Sequence, residues 1–109
     1  MRRGYLAEYY CKKKLIETYG KENVVKVAIG GATDFLVLKP GSKEIEKIVE
    51  VKNTKKNKWY PNEHDIKQFE TIKKISIDHG IKVEYWIRIK GKWKILSLEE
   101  VEELIASKR

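Results

Sequence analysis

Apolar and polar positions alternate along the chain with two periods, and the switches between them divide it into eight segments. From residue 2 to 19, Leu6, Tyr9, Tyr10, Lys13, Leu15 and Ile16 form an imperfect 3.6-residue stripe, and Gly20 stops it, which predicts a helix. Asn23 to Ala28 (NVVKVA) reads as a short strand, and Ile29-Gly30-Gly31-Ala32 as a loop. A second strand is expected from Thr33 to Lys39, ended by the turn signal Pro40-Gly41, and a third from Glu44 to Lys52. Three strands this close in sequence suggest an antiparallel meander.

After a basic loop from Asn53 to Pro61, Asn62 is placed to cap a helix that carries Ile66, Phe69, Ile72 and Ile75 on one face and ends at Gly80. Residues 81–89 alternate clearly, with Ile81, Val83, Tyr85, Ile87 and Ile89 on one side. Gly91-Lys92 then turns into a last strand, Trp93 to Leu96, and Ser97-x-x-Glu100 matches the capping box of a closing helix. The order α-β-β-β-α-β-β-α predicts an α+β fold, an α/β sandwich with one central sheet flanked by helices, in a single domain over residues 1–109.

Two strands carry charge where a core strand would not want it. Asp34 opens the second, before Phe35-Leu36-Val37-Leu38, and Glu50 and Lys52 lie inside the third. Strand alternation puts Glu50 and Lys52 on one face, about 6–7 Å apart, with Val49 and Val51 on the other. A turn near residues 40–44 sets Asp34 opposite a residue near 50, so Asp34 and Glu50 become cross-strand neighbours at about 5 Å. Two carboxylates at that spacing repel. A divalent, oxygen-seeking ion neutralises them, and the Val51 carbonyl at the same edge adds a ligand. A lysine beside such an ion can position a water or offset charge developing on a phosphate.

Charge points to the same class of partner. The net charge is +8, and 37% of residues are charged. A small chain this basic is suited to a polyanion, nucleic acid foremost. Arg2, Arg3, Lys12 with its neighbours Lys13 and Lys14, and Lys55, Lys56 and Lys58 are candidate phosphate contacts. The single cysteine, Cys11, allows no intrachain disulfide and fits a reducing, cytoplasmic setting. No apolar run reaches the roughly 20 residues of a membrane span, so no membrane partner is expected. Trp59 and Tyr60 are expected to anchor their loop to the core, and Cys11 to be a part-buried, inert thiol.

Asp34 followed sixteen residues later by Glu50-Val51-Lys52 resembles the PD-(D/E)xK nuclease signature. Arg3-Gly4-x-x-x-Glu8 is similar to the opening of archaeal Holliday junction resolvases in that superfamily, and EVKNTKKNKWY at 50–60 is similar to their E-V-K segment. The resemblance implies a restriction-endonuclease-like core with a central mixed sheet. It implies catalytic roles for Glu8, Asp34, Glu50 and Lys52, with Asp34 and Glu50 on the metal, Glu8 acting from the first helix and Lys52 handling the nucleophilic water. It also implies Mg²⁺, with Mn²⁺ as substitute, and a homodimer that cuts branched DNA with two-fold symmetry. Thr33 stands where the signature's name has proline, and the loop before Asp34 has no serine. Gln68, the sole glutamine, stands a few residues late for the glutamine common in the family's second helix. The alternatives are a related nuclease acting on flaps, single strands or duplex, and a non-catalytic nucleic-acid-binding module of the same fold.

Overall fold

In the computed structural model, which describes residues 3–29 and 32–108, a five-stranded mixed sheet is flanked by three helices. The elements are α1 (Arg3–Tyr19), β1 (Val24–Ile29), β2 (Ala32–Leu38), β3 (Ile45–Thr54), α2 (Glu63–His79), β4 (Val83–Ile89), β5 (Lys92–Ser97) and α3 (Leu98–Lys108), with a short 3₁₀ turn at Lys21–Asn23. The strands lie in chain order, β1-β2-β3-β4-β5. All neighbours are antiparallel except β3 and β4, which α2 joins as a parallel pair. This is the expected order of elements. No described helix is long and apolar enough to cross a membrane.

Strand alternation sorts the sheet into two apolar layers. Ile48, Val83, Tyr85 and Ile87 face α2 and α3, meeting Phe69, Ile72, Val101 and Ile105. Phe35, Val37, Val49 and Trp86 face α1, meeting Cys11 and Leu15. Trp59 belongs to the first layer, its ring 5.9 Å from that of Tyr85. It anchors the loop after β3, as expected, whereas Tyr60, expected to do the same, is 60% exposed and does not.

The stripe that α1 buries differs from the one its large apolar residues suggest. Ala7, Cys11 and Leu15, spaced i, i+4, i+8, are at most 1% exposed, while Tyr9 and Tyr10 are 44% and 42% exposed. A helix lying close on a sheet favours small residues at the contact, which leaves the tyrosines outside. Burial pushes the Cys11 thiol up to about 12, so it is unreactive at neutral pH.

Local chemistry sets the ends of α2. The Asn62 side chain accepts from Asp65 N at 2.8 Å, and Asp65 Oδ2 accepts from Asn62 N at 3.0 Å, a reciprocal capping box. Gly80 closes the helix in the left-handed region, φ 63°. At Ser97 the expected capping box is present: Glu100 N donates to Ser97 Oγ and Ser97 N to Glu100 Oε1. The β4–β5 turn falls one residue earlier than expected. Ile89 pairs with Lys92, so Lys90 and Gly91, at φ 50° and 79°, form the two-residue turn, and Lys92 is already in β5. Two positive φ values match the twist of the flanking strands.

Candidate functional site

The register between β2 and β3 places Asp34 directly opposite Glu50, as the turn arithmetic expects. Among the described residues the β2–β3 ladder goes no further in that direction. Beyond it β3 continues with β4 alone, Val51 opposite Trp86 and Lys52 opposite Ile87. The sheet therefore opens at this point, and the flank of Val51 toward β2 is free of ladder partners among the described residues. Arg2 and the side chains of Arg3 and Asp34 lie outside the described residues.

Glu50 is only 1% exposed, so it sits beneath α2 rather than on an open rim. Lys52, two residues on and on the same face, points its ammonium at three acceptors. Gln68 Oε1 lies 2.6 Å from Nζ, Asp65 Oδ1 3.0 Å and Glu50 Oε1 3.6 Å. The contact with Gln68 is a hydrogen bond, and those with the two carboxylates are ion pairs, the one to Glu50 the longer. Glu50 Oε2 is buried and has no hydrogen-bond partner among the described residues.

Helix α2 builds half of this cluster. The capping box holds the Asp65 carboxylate, one oxygen on its own helix start and the other on Lys52. One turn further on, Gln68 is 3% exposed and lies on the buried face beside Phe69. Asp65 is a partner that the sequence pattern did not single out. Its signal was present in Asn62-x-x-Asp65, a capping pattern that fixes a carboxylate at the helix start. Gln68 stands in register with Lys52, although its place in the helix reads as late.

The formal charges do not cancel. Lys52 supplies one positive charge against the carboxylates of Glu50 and Asp65, and Asp34 adds a third acid in the neighbouring register. A buried carboxylate oxygen without a partner is costly. A divalent cation is the simplest group that satisfies both the excess charge and the open oxygen. The donor set of Glu50, the Val51 carbonyl flank and position 34 therefore fits a hard, oxygen-seeking ion. Among the described residues, no three His, Cys, Asp or Glu side chains gather as a metal site, and Asp34's side chain is not one of those residues.

Glu8 stands apart from this cluster. Its carboxylate lies 3.6 Å from Lys26 Nζ on β1 and lines a cleft of about 360 Å³ with Tyr5, Tyr9 and Phe35, on the α1 side of the sheet. Glu50 and Lys52 face α2. Of the four acid and base positions singled out, the structure groups Glu50 with Lys52 and aligns Asp34 by register, and it places Glu8 across the sheet. Lys12 is exposed on α1, and Lys55, Lys56 and Lys58 are exposed on the loop that follows β3. Lys56 Nζ lies 6.0 Å from the exposed Tyr60 ring.

A search against protein-family models finds no match to this chain, and neither does a search of curated proteins.

Proposed function

We propose that this chain is a metal-dependent DNA endonuclease of the PD-(D/E)xK type, with a restriction-endonuclease-like core, that cuts branched DNA and foremost four-way junctions as a homodimer. The observation that carries the reading is the pairing of Asp34 with Glu50 beside Lys52, in a cluster whose negative charge exceeds its positive charge. Asp34, Glu50 and the Val51 carbonyl would hold Mg²⁺ or Mn²⁺, which when bound polarises the scissile phosphate and makes a water more acidic.

The protein's own groups divide the remaining work. Lys52 holds a positive charge where charge builds on the phosphate, and it can donate to the attacking water. Gln68 and Asp65 aim that ammonium, and the rigid start of α2 fixes their positions. The cover of α2 over Glu50 keeps bulk water from one side of the site, so charges act there in a less screening medium. The basic loop of Lys55, Lys56 and Lys58 follows Lys52 directly and meets the DNA backbone. Glu8 lies on the other side of the sheet and acts on the site only indirectly.

A second reading has its own support. The Lys52 ammonium is already hydrogen-bonded to Gln68 and ion-paired with Asp65 and Glu50, as in a cluster that only stabilises the fold. On that reading the chain is a nucleic-acid-binding module. Incubating the protein with a labelled four-way junction, a matched duplex and a flap, with Mg²⁺, separates the two. The nuclease reading expects junction cleavage that Asp34→Asn and Lys52→Ala abolish while junction binding persists. Equal cutting of plain duplex defeats junction specificity, and undiminished cleavage by both variants removes these residues from the chemistry.

A further inference from the structure

The tyrosines that α1 leaves outside do not stand alone. Arg88, near the end of β4, sets its guanidinium 4.7 Å from the Tyr10 ring centre, within range of a cation–π contact. Lys13 Nζ lies 5.6 Å from the Tyr9 ring. Two clefts meet at Arg88 and Gly91. One, of about 590 Å³, runs along α1 past Tyr10, Lys13, Lys14 and Lys92. The other, of about 340 Å³, runs past Asn53, Thr54, Lys55 and Lys90. Together they form a continuous track between α1 and the tip of the β4–β5 hairpin. Among the described residues Glu17 is the one acid that lines it.

None of Lys13, Lys14, Lys55, Arg88, Lys90 and Lys92 forms an ion pair among the described residues. The hairpin tip shows the same bias. Lys90 occupies a left-handed position where asparagine or glycine is the easy choice, and it sets a cation at the mouth of the track. The track also lies at the proposed site's end of the sheet. Arg88 is opposite Asn53 in register, one residue beyond the pair Lys52–Ile87, though it faces α1 whereas Lys52 faces α2.

We infer that this track binds the phosphodiester backbone of duplex DNA, with Arg88, Lys92 and Lys13 as its central contacts. Charge complementarity points to the partner class: six cations with no acidic partner among the described residues, spread along a groove rather than gathered at a point, match a ladder of phosphates. Arg88 stacked on Tyr10 has little rotamer freedom left to lose, so it meets a phosphate with its fork already aimed. The inference rests on the DNA-binding half of the proposed function and is independent of cleavage. A duplex arm on this track would pass around the sheet end toward the loop that follows Lys52.

The test is fluorescence anisotropy of the full chain with a labelled duplex and a labelled four-way junction, in EDTA, across a salt series. Without divalent metal, the readout does not depend on nuclease activity. The variant Lys13→Gln/Arg88→Gln/Lys92→Gln is expected to weaken binding at least tenfold and to lower the salt slope by about 0.9 for each phosphate no longer neutralised, so by about 2 to 3. A control variant, Lys21→Gln/Lys43→Gln/Lys74→Gln, removes as much charge from exposed positions elsewhere and is expected to change the slope by less than about 0.9, the share of a single phosphate. Glu17→Lys alters an exposed side chain without removing a packed one, and it is expected to tighten binding. Equal losses in the two triple variants, or unchanged binding and slope in the track variant, would overturn the assignment. If the track variant does not fold, failure of Glu17→Lys to tighten binding overturns it instead.

Discussion

Strand β3 carries two lysines in unlike surroundings, Lys47 buried and Lys52 part-buried. Lys47, near its start, faces α1, while Lys52, near its end, faces α2. Lys47 Nζ lies 2.7 Å from Glu84 Oε1 and 5.0 Å from the Tyr19 ring centre. Glu84 also accepts from Trp86 Nε1 at 3.1 Å. Lys47 closes on this part-buried anion, Lys82 Nζ approaches its other oxygen at 3.7 Å, and Trp86 uses its remaining capacity, so no negative charge is left over. Burial works against both charged forms, but the mutual hydrogen bond outweighs it. The Lys47 pKa rises above 10.5 and that of Glu84 falls below 4.5. At Lys52 the count is one ammonium against two carboxylates, with Asp34 in the next register and a Glu50 oxygen left open. Complete compensation marks a group that holds the fold. Incomplete compensation at Lys52 is the feature on which the proposed metal site rests.

The two lysines should therefore fail in different ways. The largest effect expected is on catalysis: Lys52→Ala lowers junction cleavage by about 100- to 1000-fold, the scale for removing one donor to a developing negative charge. Lys47→Met leaves the cleavage rate per folded molecule unchanged, and single-turnover kinetics under conditions where both are folded check this. Stability should show the converse. Lys47→Met leaves the Glu84 carboxylate only Trp86 and the longer Lys82 contact, and costs about 3 kcal/mol in urea unfolding, the low end for breaking a buried pair. Adding Glu84→Gln recovers most of that loss, since the amide oxygen still accepts from Trp86.

Metal dependence sharpens the contrast. At an ion concentration of 100 times its Kd, the unaltered chain should gain about 2.7 kcal/mol of stability, and Glu50→Gln should gain none. Thermal unfolding with and without Mn²⁺ reads the difference.

The pH dependence belongs to the compensated pair. Unfolded, Glu84 takes up its proton near 4.5, while folded it holds out to lower pH. The unfolded chain thus binds more protons in that window, and stability falls as pH drops from about 4.5 through the folded pKa. For Lys47 the contribution is complete below 10.5 and is lost as pH rises through its raised folded pKa. Urea unfolding across acid pH should show a shallower decline in Glu84→Gln than in the unaltered chain. The smallest effect concerns the support of Lys52. Asn62→Ala removes one arm of the capping box and costs about 1 kcal/mol; chemical unfolding measures it.

Backbone relations were more legible than side-chain ones. The turn at Pro40-Gly41 puts Asp34 opposite a residue near 50, but a one-residue register shift between Val37 and Leu38 decides which: counted on from the pair Leu38–Ile45, Asp34 would face Val49, and the shift sets it against Glu50 instead. Alternation likewise puts Val49 on one face and Glu50 on the other. What lies over Glu50 is set by the rotation of α2 about its axis, which depends on packing rather than on local pattern. The meeting of Gln68 and Asp65 with Lys52 was therefore hidden, although the Asn62-x-x-Asp65 pattern hinted at half of it. Lys47 reads as an ordinary solvated strand lysine until the parallel pairing of β3 with β4 brings Glu84 beside it. The outer tyrosines of α1 mislead for a related reason: size suggests burial, but close helix-to-sheet contact selects Ala7 and Cys11 instead.

The central claim is that the open carboxylate of Glu50, together with Asp34, holds a divalent ion. Calorimetric titration of the purified chain with Mn²⁺ tests it without DNA or turnover. The account predicts saturable binding of an ion that Asp34→Asn and Glu50→Gln each abolish and Lys47→Met leaves intact. No saturable heat in the unaltered chain, or binding undisturbed by both acidic substitutions, would contradict it.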